Sequence, residues 1–228
     1  MARLLLVVIG ILIALNINNW NTGKSDRKIE KEYISSLIED LATDTLNLSI
    51  LIKIYEKKII RIDTVLSMFP KITEGYNDTL HRNLPEVISY VDFIYTDRTI
   101  QQLKNTGAMR LISNKEVANE IIEYDLAVRK LLESYYPDLL FYYEESNKSW
   151  FEIMDVSGFE NDRKTKSADK IKKENKNYLL KADSPSLGKF NNIIRNFQND
   201  LRIIKNYDIE LLKKSTQLLQ LLKNEYQL

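Results

Sequence analysis

The chain contains no cysteine and, in 228 residues, only six glycines, four prolines and one histidine. Without cysteine, disulfides, thiolate nucleophiles and zinc–thiolate sites are excluded. Scarce glycine and proline leave little material for turns, and the abundant leucine, isoleucine, lysine and glutamate favour long helices. We therefore expect an all-α protein.

An excess of charge of one sign is also missing. Lysine and arginine number 33 against 32 aspartates and glutamates, so the formal net charge is +1, and we expect no nucleic-acid partner.

Gly-rich phosphate loops, nucleophile motifs and paired metal-ligand spacings are absent from the sequence. The lone His81 has no second histidine or cysteine, and we expect it at the surface. We predict no cofactor, no metal and no catalytic activity.

One long apolar run lies near the N-terminus. Residues 4–15 read LLLVVIGILIAL, with Arg3 before them and Trp20 after them. Such a helix satisfies its own backbone hydrogen bonds and matches lipid, so residues 1–22 are predicted to form a transmembrane or membrane-anchor helix. Its apolar residues and interfacial tryptophan are Leu4, Leu5, Leu6, Val7, Val8, Ile9, Ile11, Leu12, Ile13, Leu15 and Trp20.

Two other interpretations of this run stay open. The uninterrupted stretch is shorter than the roughly 20 apolar residues that span a bilayer, and runs of this length also form buried core helices. A cleaved signal peptide needs a small-x-small site, which the residues after Leu15 do not supply. We favour a retained anchor.

The string VVIGILIALNINNWN, at residues 7–21, closely resembles the signature of an uncharacterised family of bacterial membrane-anchored proteins typical of the Bacteroidota. This chain has Asn16 where that family usually has glutamine. A second stretch, from Thr99 to Asn114, resembles the same family through a turn formed by Leu103, Gly107, Leu111 and Ile112. The resemblance implies a single-pass helical protein with more hydrophobic chain upstream, so we expect this copy to be truncated or to start late.

The Gly107 turn is interpreted as structural, because glycine permits positive φ while Leu111 and Ile112 plug the helix pair. A ligand site at this turn is the alternative.

A 3.5-residue rhythm of apolar residues predicts a helix from about Ser25 to Met68, with no proline before Pro70 to end it. This helix can be continuous with the anchor. We interpret its apolar seam as the buried stripe of a bundle; a coiled coil with a second copy is the alternative. The seam residues are Ile34, Ile38, Leu41, Thr45, Leu48, Ile52, Tyr55, Ile59, Ile62, Leu66 and Phe69.

A second long helix is predicted from Ser184 and Pro185, which suit its N-cap and first turn. Its seam contains Phe190, Ile194, Phe197, Leu201, Ile204, Leu211, Leu218 and Leu222. Asp208 falls in this seam, so either the stripe slips onto Tyr207, which we favour, or Asp208 is a buried polar specifier. The two long helices are predicted to pack antiparallel in one elongated bundle over residues 23–228.

Shorter helices are expected between the two long ones. They begin at Pro85, at Asp97 and at a capping box formed by Ser113 and Glu116. Residues 155–183 are poor in apolar side chains and mixed in charge, which predicts a flexible loop or frayed helix.

Aromatic side chains are concentrated after Ser134, where Pro137 is expected to break the helix. Aromatic clusters at helical spacing are usually core, but a ligand or partner surface is the alternative. Its candidate residues are Tyr135, Tyr136, Tyr142, Tyr143 and Trp150.

Together these features predict a single-pass protein of the cell membrane that presents a helical bundle as an interaction, scaffold or sensor module. Its expected partners are the lipid bilayer and, through helical faces, another protein or a second copy. The alternative function is a bundle that binds a small ligand in a tyrosine-lined cavity.

The side of the membrane is contested by two features of the sequence. The positive-inside rule favours a cytoplasmic bundle, because the apolar segment is followed by Lys24, Arg27, Lys28 and Lys31. An apolar segment at the N-terminus behaves instead as an uncleaved signal anchor, and on that basis we favour export.

Overall fold

The structure is a computed structural model that describes residues 2–228, with side chains for residues 6–183 and 185–228. Within that range the chain forms eight α-helices and two short 3₁₀ helices, and the all-α fold predicted from composition is confirmed. The α-helices are α1 (Ala2–Met68), α2 (Asp78–Val87), α3 (Arg98–Asn105), α4 (Lys115–Ser134), α5 (Tyr136–Ile153), α6 (Val156–Thr165), α7 (Ala168–Glu174) and α8 (Ser184–Tyr226). The 3₁₀ helices are Phe69–Glu74 and Ala108–Leu111.

Helix α1 is a single helix of 67 residues. It passes through Trp20 and Gly23 without a break and ends at Met68, two residues before Pro70, as the sequence predicted. Most of its predicted seam is buried, while Ile38, Thr45 and Ile59 are partly exposed.

Helix α8 begins one residue after its cap. The Asp183 carboxylate accepts a hydrogen bond from the Ser186 N–H at 3.0 Å. The side chain of Ser184, which was predicted as the cap, lies outside the described side chains. Asp208 is fully buried and Tyr207 is 41% exposed. The favoured slip of the stripe is therefore wrong, and Asp208 occupies the seam itself.

Contacts divide the chain into two compact units. Unit 1 contains the residues up to Leu46 with Tyr95–Ala127 and Lys213–Leu228, and unit 2 contains Asn47–Ile94 and Val128–Leu212. The prediction of a single bundle domain stays a prediction.

Within each unit, α1 and α8 run antiparallel. In unit 1, Glu30 meets Tyr226 and Thr45 meets Ser215. In unit 2, the Phe69 and Phe190 rings are 5.5 Å apart, and the Gln198 amide donates to the Ile59 carbonyl at 3.0 Å. The seam of α1 is thus covered by this chain's own helices, as the bundle interpretation requires.

Two predicted helix starts are wrong. Pro85 lies inside α2, which begins instead at Asp78 because the Asn77 side chain accepts from the Leu80 N–H at 3.0 Å. Helix α4 is capped by Asn114, which accepts from the Glu116 N–H at 2.9 Å. Ser113 is therefore free to bond elsewhere.

Residues 155–183 contain more helix than predicted. Helices α6 and α7 start at the caps Asp155 and Ser167, which accept from the N–H groups of Gly158 and Lys170. They are held by the buried side chains of Phe159, Ile171 and Tyr178. The prediction of a loop or frayed helix is wrong because these few apolar residues suffice to bury one face of each short helix; the flexibility of the segment stays a prediction.

Two glycines adopt positive φ, and replacing each of them with alanine distinguishes backbone strain from steric overlap. A Cβ at Gly107 (φ 67°) would meet nothing within 4 Å, whereas one at Gly75 (φ 118°) would lie 2.6 Å from the Asn175 amide. We expect Gly107→Ala to lower the free energy of unfolding by about 1 kcal/mol through backbone strain alone. Gly75→Ala adds steric overlap and should lose more. Equal losses in urea unfolding of the purified variants would contradict this.

Candidate functional site

The first part of α1 is apolar and exposed. From Leu6 to Ser25 every side chain is exposed, and the large apolar ones range from 44% at Ile9 to 67% at Leu6. These include the predicted anchor residues Leu6, Val7, Val8, Ile9, Ile11, Leu12, Ile13, Leu15 and Trp20. Leu4 and Leu5 lie outside the described side chains. The segment is long and apolar enough to cross a membrane and none of it is buried, so it is not a buried core helix. It is compatible with an anchor or a signal sequence.

The turn resembling the family motif joins α3 to α4. Gly107 adopts a left-handed conformation, as predicted, and ends α3. Leu103, Ala108 and Ile112 are buried, whereas Leu111 is only half-buried. Of the two residues predicted to plug the helix pair, Ile112 is buried and Leu111 is only half-buried.

Two carboxylates on α1 hold the chain that enters this motif. Asp44 accepts hydrogen bonds from the Thr96 N–H at 2.9 Å and from the Tyr124 hydroxyl at 2.8 Å. Asp40 accepts from the Thr99 N–H at 3.1 Å and from the Arg98 guanidinium at 2.7 Å. Asp40 thereby caps the start of α3 from another helix. Burial raises the pKa of Asp44, against the opposing hydrogen bonds.

A third carboxylate fixes the chain that leaves the motif. Glu30 is 3% exposed and is the first buried residue after the apolar segment. It accepts from the Ser113 N–H at 2.6 Å, from the Ser113 hydroxyl at 2.9 Å and from the Tyr226 hydroxyl at 2.6 Å. We call these three residues the Glu30 clasp. Burial, followed by the hydrogen bond to Glu30, raises the pKa of Tyr226.

Sequence reasoning missed these carboxylates, although a pattern was present. Asp40 and Asp44 are four residues apart and fall beside the buried Leu37 and Leu41, on the same face of α1. Acidic residues on the apolar face of a helix indicate buried, hydrogen-bonded groups, because an unpaired buried charge is costly. The chain they bind could not be read from α1 alone.

Unit 2 has its own buried polar centre. The Tyr136 hydroxyl donates to Asp208 at 3.4 Å and accepts from the Phe93 N–H at 3.2 Å. The Tyr55 hydroxyl donates to the Val91 carbonyl at 2.6 Å. The second carboxylate oxygen of Asp208 has no hydrogen-bond partner. Burial raises the pKa of Asp208 to about 7, so this group titrates near neutral pH.

The five aromatic residues predicted as one surface are divided among several places. Tyr136 and Trp150 are buried in the core. Tyr135 stacks on Tyr207, with ring centroids 4.3 Å apart, and Tyr143 stacks on Tyr90 at 5.3 Å. Tyr142 lines an open groove of about 610 Å³, which also includes Phe141 and Pro185. The small-ligand alternative stays a prediction.

His81 is buried, not exposed as predicted. It is 1% exposed and lies against the rings of Tyr76, Phe159 and Tyr178. The prediction failed because it assigned this part of the chain to a connection rather than to α2. Burial lowers the pKa of His81, and its Nε2 has no partner. Among the described residues, no group of three or more His, Cys, Asp or Glu could hold a metal ion.

Asp40 and its neighbour Glu39 provide a matched pair of substitutions. Both contact Arg98, but Asp40 is buried and also binds the N–H of the buried Thr99, whereas the Glu39 side chain is 70% exposed. We expect Asp40→Ala to cost about 2 kcal/mol of unfolding free energy, because it leaves a buried donor unpaired. Glu39→Ala should cost less than about 0.5 kcal/mol, as for an exposed ion pair. Similar losses in urea unfolding would refute the capping role.

Asp208 is expected to make stability depend on pH. Its pKa rises from 3.8 in the unfolded chain to about 7 in the fold, so the folded state binds the proton more tightly and stability falls as pH rises through this window. Asp208→Asn removes this titration. Relative to wild type, the variant should gain roughly 2–3 kcal/mol between pH 5 and pH 8. Burial also lowers the pKa of His81 and, to about 8, the pKa of Lys58. Both proteins carry these two groups, so their titrations cancel in this difference. A difference in unfolding free energy that is constant with pH would contradict the assignment.

No curated protein and no solved structure matches the chain. A family model matches residues 3–180, which include the apolar segment, the buried carboxylates Glu30, Asp40 and Asp44, and the Gly107 turn. Because this match covers well over half of the chain, the protein belongs to that family, the family of unknown function DUF6090.

Proposed function

We propose that this protein is a single-pass membrane protein in which the first part of α1 anchors a helical bundle that serves as an interaction, scaffold or sensor module. The observation that carries the proposal is the exposed apolar start of a helix that continues without a break into the fold.

The length and surface of this segment support a bilayer as its surroundings. Residues 6–25 are all exposed. From Ala2, where α1 begins, to Trp20 the helix extends for about 28 Å at 1.5 Å per residue, close to the roughly 30 Å thickness of the hydrocarbon core. The polar side chain of Asn16 donates to the Leu12 carbonyl at 3.0 Å. Its amide is thus partly satisfied within the helix, which lowers the cost of placing it in lipid.

Continuity supports a role in which the anchor and the fold act together. A helix is stiff over its length, so a shift or rotation of the anchor also moves the Glu30 carboxylate, the first point at which α1 is held. Glu30 binds Ser113, next to the family turn, and Tyr226, near the end of α8. Through these contacts, a displacement of the membrane segment would shift the turn, and a partner bound at the turn would shift the anchor.

The side of the membrane is a separate question. Export of the bundle, favoured from the sequence, stays a prediction, and the positive-inside rule applied to the four cations after Gly23 opposes it. Alkaline phosphatase fused after Leu228 would be active if the bundle is exported. A fluorescent protein that folds only in the cytoplasm would report the opposite orientation.

Membrane attachment can be tested with matched lysine substitutions. We expect the full chain to stay in the membrane pellet after alkaline carbonate extraction. Ile9→Lys with Leu12→Lys should release it, since each lysine at mid-helix costs about 2.5–3.5 kcal/mol on insertion. The control, Leu46→Lys with Ile50→Lys, alters exposed apolar residues of α1 within the fold and should stay in the pellet. Recovery of the wild-type chain in the soluble fraction would refute the anchor.

The mass of the pelleted protein distinguishes an anchor from a cleaved signal. An anchor retains Trp20, whereas signal cleavage would yield a shorter chain that has lost residues 6–15.

A further inference from the structure

We propose that four basic side chains directly after the apolar segment form a binding surface for anionic lipid headgroups. This inference rests on the membrane anchor proposed above. The residues, Lys24, Arg27, Lys28 and Lys31, are all exposed, and we call them the basic stripe.

The stripe lies on one face of α1. Its members are separated by three, one and three residues, a spacing that places all of them within about a third of the helix circumference. Trp20, four residues before Lys24, falls on the same face, and the Lys24 ammonium is 5.5 Å from the centre of the indole ring. A tryptophan at the edge of an apolar segment marks the headgroup layer. The stripe therefore starts at that layer and continues for about 10 Å beyond it.

Acidic residues in this part of α1 leave the stripe positive. Glu30 is buried and points to Ser113 and Tyr226. Asp26 is half-buried on the opposite side of the helix from Lys24. Glu32 is 3.9 Å from Lys28, but both side chains are more than 60% exposed, and such a pair contributes little. The cations thus face outward while the nearest acids are turned away or weakly paired.

An anionic bilayer surface is the occupant that this placement favours. The anchor fixes the helix in lipid, so headgroups are already present within reach of the stripe, whereas an acidic protein would first have to be recruited. The length of the stripe is close to the Debye length of about 8 Å at physiological ionic strength. All four cations can therefore act within the surface potential of the leaflet.

The test measures which lipids surround Trp20. The full chain has two tryptophans, and Trp150→Phe leaves Trp20 as the sole reporter. This protein is reconstituted into vesicles that contain either brominated phosphatidylglycerol or brominated phosphatidylcholine, and quenching gives the ratio of the two lipid affinities. The stripe variant changes Lys24, Arg27, Lys28 and Lys31 to Gln. The control variant removes the same charge at four exposed lysines of unit 2, namely Lys164, Lys170, Lys172 and Lys173.

We expect wild type and control to prefer the anionic lipid by at least about threefold, which is modest beside the roughly fivefold that one cation can contribute at a charged surface. The preference should fall to near one in the stripe variant, and in wild type at about 1 M salt, where the Debye length is about 3 Å. A wild-type ratio near one, or equal losses in both variants, overturns the inference.

Co-sedimentation separates the two proposals. Protein that stays out of all vesicles refutes the anchor, whereas protein that enters them without preference refutes only the stripe.

Discussion

An apolar helical surface that its own fold leaves uncovered is the constraint on which the rest of this structure depends. Ten large apolar side chains between Leu6 and Trp20 remain 44–67% exposed. Removing that surface from water is worth on the order of 10 kcal/mol, a quantity comparable to the whole stability of a typical domain. In the membrane-anchored state proposed above, lipid would supply this free energy without changing the helix, because the backbone is already hydrogen-bonded within it.

Beyond this segment, buried carboxylates rather than apolar contacts decide how the connecting chain lies on α1. Asp40 and Asp44 accept backbone N–H groups on the way into the Gly107 turn, and Glu30 accepts one on the way out. Apolar packing is non-directional, but a buried carboxylate must meet its donors at fixed positions. These three residues therefore select one position of the turn among the many that a purely apolar helix face would allow. Asp208 in unit 2 is different, because one of its oxygens has no partner and its charge is correspondingly disfavoured.

Much of the fold follows from periodicity in the sequence. The 3.5-residue seam from Ile34 to Phe69 and the absence of proline before Pro70 predict α1 and its end, and the seam from Phe190 to Leu222 predicts α8. The positive φ at Gly107 was also predictable, because few residues other than glycine adopt it. Such features are local, so one segment carries the information for them.

Several of the failures concern residues whose role depends on a distant segment. His81 was expected at the surface, but rings from Phe159 and Tyr178 cover it. Ser113 was expected to cap α4, but Glu30, 83 positions earlier, binds it instead. The three buried carboxylates of α1, Glu30, Asp40 and Asp44, could be suspected from their place beside the seam, yet the donors they meet are set by tertiary packing.

Amide hydrogen exchange of the full chain in lipid nanodiscs tests the central claim most directly. If the start of α1 lies in the hydrocarbon core, the amides of residues 6–20 should be protected for hours, although the fold covers none of these side chains, and protection should drop at residues 24–29, which are outside lipid and before the Glu30 clasp. Exchange of residues 6–20 within seconds to minutes, as for an exposed helix end in water, would contradict the account.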